Sequence, residues 1–277
     1  MSNQDMNYQR RIGETLGVKA TMDVDQEVER RVAFLKDQVR RANMRGLVLG
    51  ISGGVDSTVA GRLAQLAVEA LREEGGDAWF YAMRLPYGQQ ADEQEARAAL
   101  KFIAPDEILV TDIKPPSDTM LISLEQAGLT FASETQRDFV LGNIKARQRM
   151  IAQYAAAGAK RALVVGTDHA AEAVMGFFTK HGDGACDLTP LAGLNKRQVR
   201  ELGRALGAPG QLVEKAPTAD LESLQPLRTD EEALGVSYDE IDDFLMGREV
   251  SEQAYRTIVS TYERTEHKRR LPRSPLD

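Results

Sequence analysis

The segment from Gly46 to Thr58 constrains the fold of this chain more than any other, because it reads as a strand, a sharp turn and the start of a helix. Leu47 to Ile51 form an apolar run typical of a strand that is covered on both faces. After the turn, the apolar residues between Val59 and Leu71 recur at helical spacing. The helix N-terminus therefore points at the turn, where unpaired N–H groups favour phosphate oxygens. The turn contains glycines that permit close backbone approach and hydroxyl donors: Gly50, Gly53, Gly54, Ser52, Ser57 and Thr58.

Three other interpretations start from the same turn. It could be purely structural, since a lone glycine motif has a high false-positive rate. The stretch Gly50-Ile-Ser-Gly-Gly54 also satisfies the G-x-S-x-G pattern of a hydrolase elbow, which would make Ser52 a nucleophile. Against this, such an elbow normally follows several strands, and the only histidines, His169, His181 and His267, lie in no obvious triad context. A P-loop does not fit, because the motif's lysine is missing.

Asp56 favours an ATP site over these alternatives. A carboxylate at an anion-binding turn would repel phosphate unless Mg²⁺ lay between them, and carboxylate and phosphate oxygens are usual ligands of that ion. The run Ser52-Gly-Gly-Val-Asp-Ser57 resembles the S-G-G-x-D-S loop of the N-type ATP pyrophosphatases. The resemblance implies cleavage of ATP to AMP and pyrophosphate. It also implies that ATP contacts the whole turn: Gly50, Ser52, Gly53, Gly54, Val55, Asp56 and Ser57.

Composition limits the possible partners. The chain has 277 residues and a formal net charge of −7, from 35 Lys and Arg against 42 Asp and Glu. This balance argues against a broad footprint for nucleic acid or an anionic membrane. Met1 to Arg10 lack the apolar core of a signal peptide and no run is long enough to span a bilayer, so we expect a cytoplasmic protein. Cys186 is the only cysteine, which excludes an intrachain disulfide and relatives that transfer sulfur with a cysteine pair.

Helical and strand patterns alternate along the chain, which predicts an α/β fold with a doubly wound, Rossmann-like parallel sheet. The strand candidates are Leu47–Ile51, Trp79–Leu85, Ile108–Val110 and Ala162–Val165, and helices are expected around residues 28–39 and 57–72. A longer insertion at residues 114–160 carries two helical patterns, the second with Phe139, Ile144 and Ile151 on its apolar side. We expect one domain over residues 1–277.

Two further motifs narrow the family. Gly142-Asn-Ile-Lys-Ala-Arg147 and Gly166-Thr-Asp-His-Ala-Ala-Glu172 resemble the G-N-x-x-A-R and G-T-D-H-x-A-E motifs of the ammonia-dependent NAD synthetases, one branch of the pyrophosphatases. The resemblance implies that Arg147 binds the substrate, Thr167 binds ATP and Glu172 joins Asp56 on Mg²⁺.

Without that resemblance, the second motif also has simpler interpretations. Asp168 and Glu172 are four apart and would share a helical face as an acid/base pair. Thr167 or Asp168 could instead cap a helix, and His169 is expected to be a structural hydrogen-bonding residue rather than a base.

Later segments continue the resemblance in order, from about residue 28 to 273. The segments Phe177–Gly184 and Asp187–Leu191 look like the part that holds deamido-NAD, and the resemblance places Lys180 and Asp187 there. Leu194–Gln198 resembles a helix start that puts Lys196 on ATP phosphates, with Asn195 where threonine is usual; either residue can cap a helix.

The last matches lie near the C-terminus. Lys215–Leu221 looks like the lid segment, with Thr218 on ATP and Ala216 where an acidic residue is usual. Glu266–Arg269 places His267 and Lys268 near the substrate. We also expect Arg84 and Gln90 to contact adenosine.

These later segments also have structural interpretations. Lys268, Arg269 and Arg270 could merely complement a final helix dipole. Phe177 and Phe178 are more often core residues than a nicotinamide-stacking pair. The acidic stretch 230–243 is most simply a solvated face whose apolar residues, Ile241, Phe244 and Leu245, are docked inward.

The resemblance as a whole implies ATP-dependent amidation of deamido-NAD⁺ with ammonia, through an acyl adenylate, to give NAD⁺, AMP and pyrophosphate. It implies catalytic roles for Ser52, Asp56 and Lys196, Mg²⁺ as cofactor, and a homodimer with residues 114–160 at its interface. Ammonia must come from solution or another protein, since no glutaminase unit is visible. Two alternatives remain: another ligase of the same group, such as a GMP-synthesising or tRNA-modifying enzyme, and a non-catalytic nucleotide-binding module.

Overall fold

Four parallel strands form the centre of the molecule. In the computed structural model, which describes residues 3–88, 93–215, 224, 229–270 and 272–275, they are β1 (Gly46–Gly50), β2 (Trp79–Arg84), β3 (Glu107–Val110) and β4 (Ala162–Val164). They lie in the order β3-β2-β1-β4, which confirms the predicted doubly wound α/β fold. The strand order reverses beside β1, so a crevice opens between the carboxyl ends of β1 and β4.

Helices cover both faces of this sheet. In chain order they are α1 (Asn3–Thr15), α2 (Val24–Arg41), α3 (Val55–Glu73), α4 (Glu93–Ile103), α5 (Lys114–Gln126), α6 (Glu134–Lys160), α7 (Ala170–Met175), α8 (Lys196–Ala205), α9 (Gly210–Val213), α10 (Asp230–Leu234), α11 (Tyr238–Leu245), α12 (Glu252–Arg264) and α13 (Glu266–Arg269). Among the described residues, none of the helices combines the length and apolar character that a membrane span requires.

The core has two layers because alternate residues of a strand face opposite sides of the sheet. Leu47 and Leu49 pack with residues of α2, α3, α4 and α8 on one side. Val48 packs with Met83 and with Ala157 of α6 on the other. β1 is therefore apolar throughout, as expected for a strand that is buried on both faces.

The turn after β1 begins the next helix earlier than predicted. Gly53 has φ +89, and a Cβ there would lie 2.7 Å from the Ala96 nitrogen, so only glycine fits. Gly54 is the N-cap, and α3 starts at Val55 rather than near residue 57. Asp56 is consequently in the first helical turn, where a carboxylate is favoured by the helix dipole.

The insertion at residues 114–160 contains the two predicted helices, α5 and α6. Ile144 is buried as its pattern predicts. Phe139 and Ile151, placed on the same apolar side from the sequence, are instead 56% and 52% exposed. These two side chains therefore leave apolar surface exposed on α6.

The acidic stretch 230–243 is not simply a solvated face. Its apolar residues Ile241 and Phe244 are buried as expected, but Asp230 and Asp242 are buried too. Asp242 accepts hydrogen bonds from backbone N–H groups of α8, and Asp230 accepts one from the Tyr238 hydroxyl. Such donors make buried carboxylates tolerable, although the second Asp230 oxygen, Oδ1, has no hydrogen-bond partner among the described residues.

Candidate functional site

A cavity of about 250 Å³ lies at the crevice where the strand order reverses. The β1–α3 turn contributes Ser52 and Ser57, and the segment after β4 contributes Gly166 and Thr167. A cavity at the carboxyl ends of parallel strands is the usual ligand position in such sheets. The structure thus brings the two strongest sequence motifs to one site. The other lining residues come mainly from the end of β2, from α6 and from the loop before α8: Leu49, Gly50, Ile51, Met83, Arg84, Leu85, Ala146, Arg149, Gln153, Val165, Asp183 and Ala185.

The hydroxyl groups of the β1–α3 turn bond to one another and to the turn backbone. The Ser52 and Ser57 hydroxyl oxygens are 3.0 Å apart, and the Gly54 N–H donates to the Ser52 hydroxyl at 3.3 Å. Within the described part of the chain, no histidine hydrogen-bonds to Ser52. The arrangement therefore supports a phosphate-binding turn and gives no support to a serine nucleophile, which needs an adjacent base.

Lys196 and Asp56 form an ion pair at the edge of this turn. The Lys196 ammonium lies 2.8 and 3.0 Å from the two Asp56 carboxylate oxygens, and Lys196 is 1% exposed. Burial alone would raise the pKa of Asp56, but Lys196 and His169 outweigh it and lower that pKa. Burial would lower the pKa of Lys196, but Asp56 and Glu172 raise it. Both groups are therefore charged.

His169 links the same ion pair to α7. It is the N-cap of that helix, with its Nδ1 accepting from the Glu172 N–H at 3.4 Å. Its Nε2 lies 3.4 Å from Asp56 Oδ1 and 3.6 Å from Glu172 Oε2. Burial lowers the pKa of His169, so the ring is neutral, and because Nδ1 accepts a hydrogen bond, Nε2 carries the hydrogen. This agrees with the structural role expected for His169.

The alternative predictions for this motif are wrong in two respects. His169 caps α7, rather than Thr167 or Asp168. Asp168 lies before the helix, so it shares no helical face with Glu172. The physical reason is that the segment stays extended until His169, whose ring nitrogen replaces the usual oxygen acceptor.

Asp56, His169 and Glu172 place their ligand atoms within 4.8 Å of one another. Burial first, and then the nearby Asp56 carboxylate, raise the pKa of Glu172 well above its usual range. Two carboxylates held this close favour a cation between them. Carboxylate oxygens are the ligands that Mg²⁺ prefers, whereas Nε2, the His169 atom that faces the two carboxylates, carries the ring hydrogen and offers no lone pair. The residues present therefore fit Mg²⁺ on Asp56 and Glu172.

Four of the five predicted substrate residues come together, although none of the four is among the residues that line the cavity. The Arg147 guanidinium donates to the Lys180 carbonyl at 3.2 Å, and the Lys180 ammonium donates to the His267 carbonyl at 2.5 Å. Lys268 donates to the carbonyls of Gly176 and Phe178, each at 2.8 Å. We call Arg147, Lys180, His267 and Lys268 the basic cluster. Its members Arg147, Lys180 and Lys268 give the acidic chain a local concentration of positive charge.

The fifth residue, Asp187, is held by the end of β4. Its Oδ2 accepts from the Val164 N–H at 2.8 Å, and its Oδ1 from the Tyr154 hydroxyl at 3.3 Å. These bonds give Asp187 a structural role at the carboxyl edge of the sheet, and its contact with substrate stays a prediction.

Arg84 lines the cavity, but its guanidinium also forms hydrogen bonds with other groups of the protein. Its guanidinium donates to the Ile51 carbonyl at 2.8 Å and to Glu93 at 2.6 Å. It therefore supports the β1–α3 turn directly. Gln90 and Thr218 lie outside the described residues, as does most of the predicted lid segment.

Sequence reasoning missed three polar residues of the cavity. Arg149 and Gln153 of α6 contact its wall: Arg149 donates to the Leu85 carbonyl at 3.0 Å, and Gln153 accepts from the Gly50 N–H at 2.8 Å. Their helical spacing with Ala146 was the available signal. Asp183 is the third, and burial raises its pKa. Burial, followed by the Asp183 and Asp56 carboxylates, raises the pKa of the nearby Asp168 to about 7.

Comparison with known proteins agrees with these motifs. A model of the NAD synthase family matches residues 27–272. A protein of Streptomyces coelicolor named NH(3)-dependent NAD(+) synthetase is 62% identical, over 96% of this chain and 97% of the relative. A protein of the same name from Paraburkholderia phytofirmans is 59% identical, over 97% of this chain and 94% of the relative.

Solved structures agree with the fold. The crystal structure of an NAD⁺ synthetase from Burkholderia pseudomallei is 54% identical with a TM-score of 0.85, covering 98% of this chain and 99% of that one. The structure of an NMN synthetase from Francisella tularensis is 36% identical with a TM-score of 0.79, covering 92% of this chain and 99% of that one. On both the sequence and the structural evidence, this chain belongs to the NAD synthase family.

Proposed function

We propose that this protein amidates deamido-NAD⁺ with ammonia and ATP, forming NAD⁺, AMP and pyrophosphate through an acyl adenylate. The observation that carries the proposal is the meeting of a phosphate-binding turn with Lys196, Asp56 and Glu172 at one crevice. A non-catalytic nucleotide-binding module would need neither the buried lysine nor the paired carboxylates. The 62% identical relative is named for this ammonia-dependent activity.

The β1–α3 turn would hold the pyrophosphate part of ATP. Ser52, Ser57 and the backbone N–H groups of residues 53–57 supply donors at the positive end of the α3 dipole. Lys196 adds a full positive charge beside the same turn. In the first step the substrate carboxylate attacks the α-phosphorus of ATP, a C–O–P linkage forms, and pyrophosphate leaves with the bond electrons. These donors are therefore placed where negative charge builds up.

Asp56 and Glu172 would hold Mg²⁺, which supplies neutralisation of phosphate charge while the anionic carboxylate approaches. His169 packs against both carboxylates, with its Nε2 atom 3.4 Å from Asp56 Oδ1 and 3.6 Å from Glu172 Oε2, and among the described residues it makes no hydrogen bond through that nitrogen. Because His169 is also the N-cap of α7, the backbone that carries Glu172 is fixed by the same side chain.

Ammonia then attacks the acyl carbon, a C–N bond forms, AMP leaves with the electrons of the C–O bond, and the nitrogen releases one proton to solvent. An ammonium ion that enters the cavity must first lose a proton. Asp183 lines the cavity, and its raised pKa suits a group that accepts this proton. The basic cluster would bind the phosphates of the dinucleotide, and Asp187 and Arg84 would help to orient the nicotinate and adenosine ends.

We also propose that the protein acts as a homodimer in the cytoplasm, where ATP and pyridine dinucleotides are metabolised. The support for the dimer is an apolar surface on the insertion at residues 114–160. Its large exposed side chains are Met120, Ile122, Leu129, Phe139 and Ile151. A concentration of large exposed apolar side chains on one segment is typical of a protein interface.

One assay tests the activity and its nearest competitor. The protein is incubated with ATP, Mg²⁺, ammonium and either deamido-NAD⁺ or nicotinic acid mononucleotide, and NAD⁺ or NMN, AMP and pyrophosphate are quantified. We expect equal amounts of NAD⁺, AMP and pyrophosphate from the dinucleotide. The mononucleotide arm is needed because the Francisella tularensis relative is named an NMN synthetase. Faster amidation of the mononucleotide would overturn the substrate assignment, and no coupled AMP with either would overturn the activity.

One variant separates the metal role from the fold. Asp56→Ala is expected to abolish AMP formation while the circular dichroism spectrum stays that of the wild type. Glutamine in place of ammonium should support no turnover, as expected of an ammonia-dependent synthetase. Retained AMP formation by Asp56→Ala would mean that this carboxylate holds no catalytic metal.

A further inference from the structure

The Asp242 carboxylate of α11 lies against the first turn of α8. Its Oδ1 accepts from the Lys196 N–H at 3.0 Å, and its Oδ2 accepts from the Arg197 N–H at 2.7 Å. Asp242 is 1% exposed, so water does not compete for these bonds. Backbone N–H groups of a first helical turn have no partner within their own helix, and a carboxylate is the acceptor they favour most.

Asp242 is not needed to cap the helix in the ordinary sense. Asn195 is the N-cap, and it forms a complete capping box in which its side chain accepts from the Gln198 N–H at 2.8 Å. Asp242 takes the two preceding N–H groups, those of Lys196 and Arg197. The bonds therefore tie α8 to α11, a connection that the local capping residues do not supply.

Lys196, whose backbone is held in this way, has a side chain that reaches the phosphate-binding turn. Lys196 is 1% exposed and its ammonium ends beside both Asp56 oxygens, so its extended side chain is confined along its whole length. The position of that ammonium consequently follows the position of the Lys196 backbone. A small shift of the α8 start would move it away from the phosphate-binding turn.

We propose that Asp242 is a positioning residue for the reaction: by fixing the first turn of α8 against α11, it sets the place of the Lys196 ammonium beside Asp56. This inference rests on the proposed function, because it concerns the charge that Lys196 provides during adenylate formation. A buried carboxylate at this position is energetically unfavourable. Burial raises the pKa of Asp242 to about 6, so a carboxylate is kept here although its charged form is penalised.

The decisive variant is Asp242→Asn, which keeps the shape of the side chain. An amide offers one acceptor oxygen, and its NH₂ group faces the second backbone N–H, donor against donor. The first turn of α8 must then move. We expect kcat for NAD⁺ formation to fall at least about tenfold, because misplacement of a catalytic group on the ångström scale has effects of this size. The KM for deamido-NAD⁺, bound elsewhere, should change less than about twofold.

Asp243→Asn is the matched control. Asp243 neighbours Asp242 on α11, but its carboxylate contacts the side chains of Arg197 and Arg248, not the α8 backbone. We expect its kcat to stay within about twofold of the wild type, since exposed ion pairs contribute little. Equal losses in the two variants would overturn the proposal.

A second measurement distinguishes positioning from a general structural role. Asp242→Asn is introduced into a Lys196→Ala protein, and adenylate formation is followed with excess enzyme and radiolabelled ATP so that slow rates are measurable. If Asp242 acts through Lys196, the second substitution should lower the residual rate less than about twofold, although it lowers the melting temperature in both backgrounds. A further loss of about tenfold would overturn the proposal.

The outcomes remain distinct from those of the function assay. If the wild type forms NAD⁺ and Asp242→Asn keeps its kcat, only the role of Asp242 is wrong. If the wild type forms no NAD⁺, the proposed function fails. Should Asp242→Asn not fold, Asp242→Ser, which keeps one acceptor oxygen in a smaller side chain, replaces it in each measurement with the same criteria.

Discussion

The ammonium of Lys196 lies 2.8 and 3.0 Å from the two oxygens of Asp56, although the residues are 140 positions apart in the chain. A carboxylate oxygen of Glu172 lies within 4.8 Å of Asp56 as well. The lysine therefore compensates a pair of carboxylates that burial would otherwise make costly.

Removal of Lys196 should destabilise the fold as well as stop the reaction. We expect Lys196→Met to lower the free energy of unfolding by about 3 kcal/mol, because the Asp56 and Glu172 carboxylates lose their cation. Asp56→Asn in addition should recover part of that loss. Denaturant unfolding of the wild type, both single variants and the double variant measures the coupling. Strictly additive effects would show that the pair contributes no mutual stabilisation.

The two glycines of the phosphate-binding turn should respond differently to alanine. Gly53 has φ +89, and a Cβ there would lie 2.7 Å from the Ala96 nitrogen, so Gly53→Ala is expected to cost at least about 2 kcal/mol of stability. Gly54 has φ −76, and a Cβ there would meet the Ser52 hydroxyl at an ordinary 3.5 Å. Gly54→Ala should cost no more than about 1 kcal/mol, the difference expected between glycine and alanine at an N-cap. Equal costs would contradict this reading of the turn.

The Cys186 thiol should react slowly in the folded protein. Burial, with the Asp168 and Asp187 carboxylates, raises its pKa to about 12, from an ordinary value of 9.0. Raising a thiol pKa lowers the thiolate fraction at a given pH, so near pH 8 the reactive form is scarce. We expect iodoacetamide to modify the folded protein at least about a hundredfold more slowly than the guanidinium-unfolded chain. Mass spectrometry against time measures both rates, and similar rates would contradict the raised pKa.

The proposed dimer depends on the exposed side of α6. Phe139 is 56% exposed there, and Phe139→Asp should place an unpaired charge in the interface. We expect light scattering to give the dimer mass for the wild type and the monomer mass for this variant at micromolar concentration. Phe34 on α2, 37% exposed, supplies the control, since Phe34→Asp should remain dimeric. A monomer mass for the wild type would contradict the proposed dimer.

Much of the fold was predictable because its determinants are local. Each strand candidate coincides with an observed strand to within one residue at either end, since an apolar run between turn residues depends only on neighbours in the chain. Phe139, expected on the apolar side of its helix, is instead 56% exposed. An apolar stripe on a helix does not say whether the sheet, another helix or a second molecule covers it.

The acidic stretch 230–243 illustrates a second limit. Charged residues are usually exposed, and that expectation is wrong for Asp230 and Asp242 because each meets donors brought from elsewhere in the fold. The capping of α7 by His169 was missed for a similar reason, since imidazole is not among the usual N-cap side chains.

The sequence by itself determined the strand, turn and helix around Ser52. It also determined the order of the motifs and hence the family. Each of these features depends on residues that are neighbours in the chain. Only the tertiary structure decided what Asp56 contacts. Its partners Lys196 and His169 arrive from α8 and from the N-terminus of α7, and Asp242 fixes the first of these from α11. Such contacts depend on how helices pack on the sheet. The spacing of residues along the chain does not determine the distances between residues of different helices.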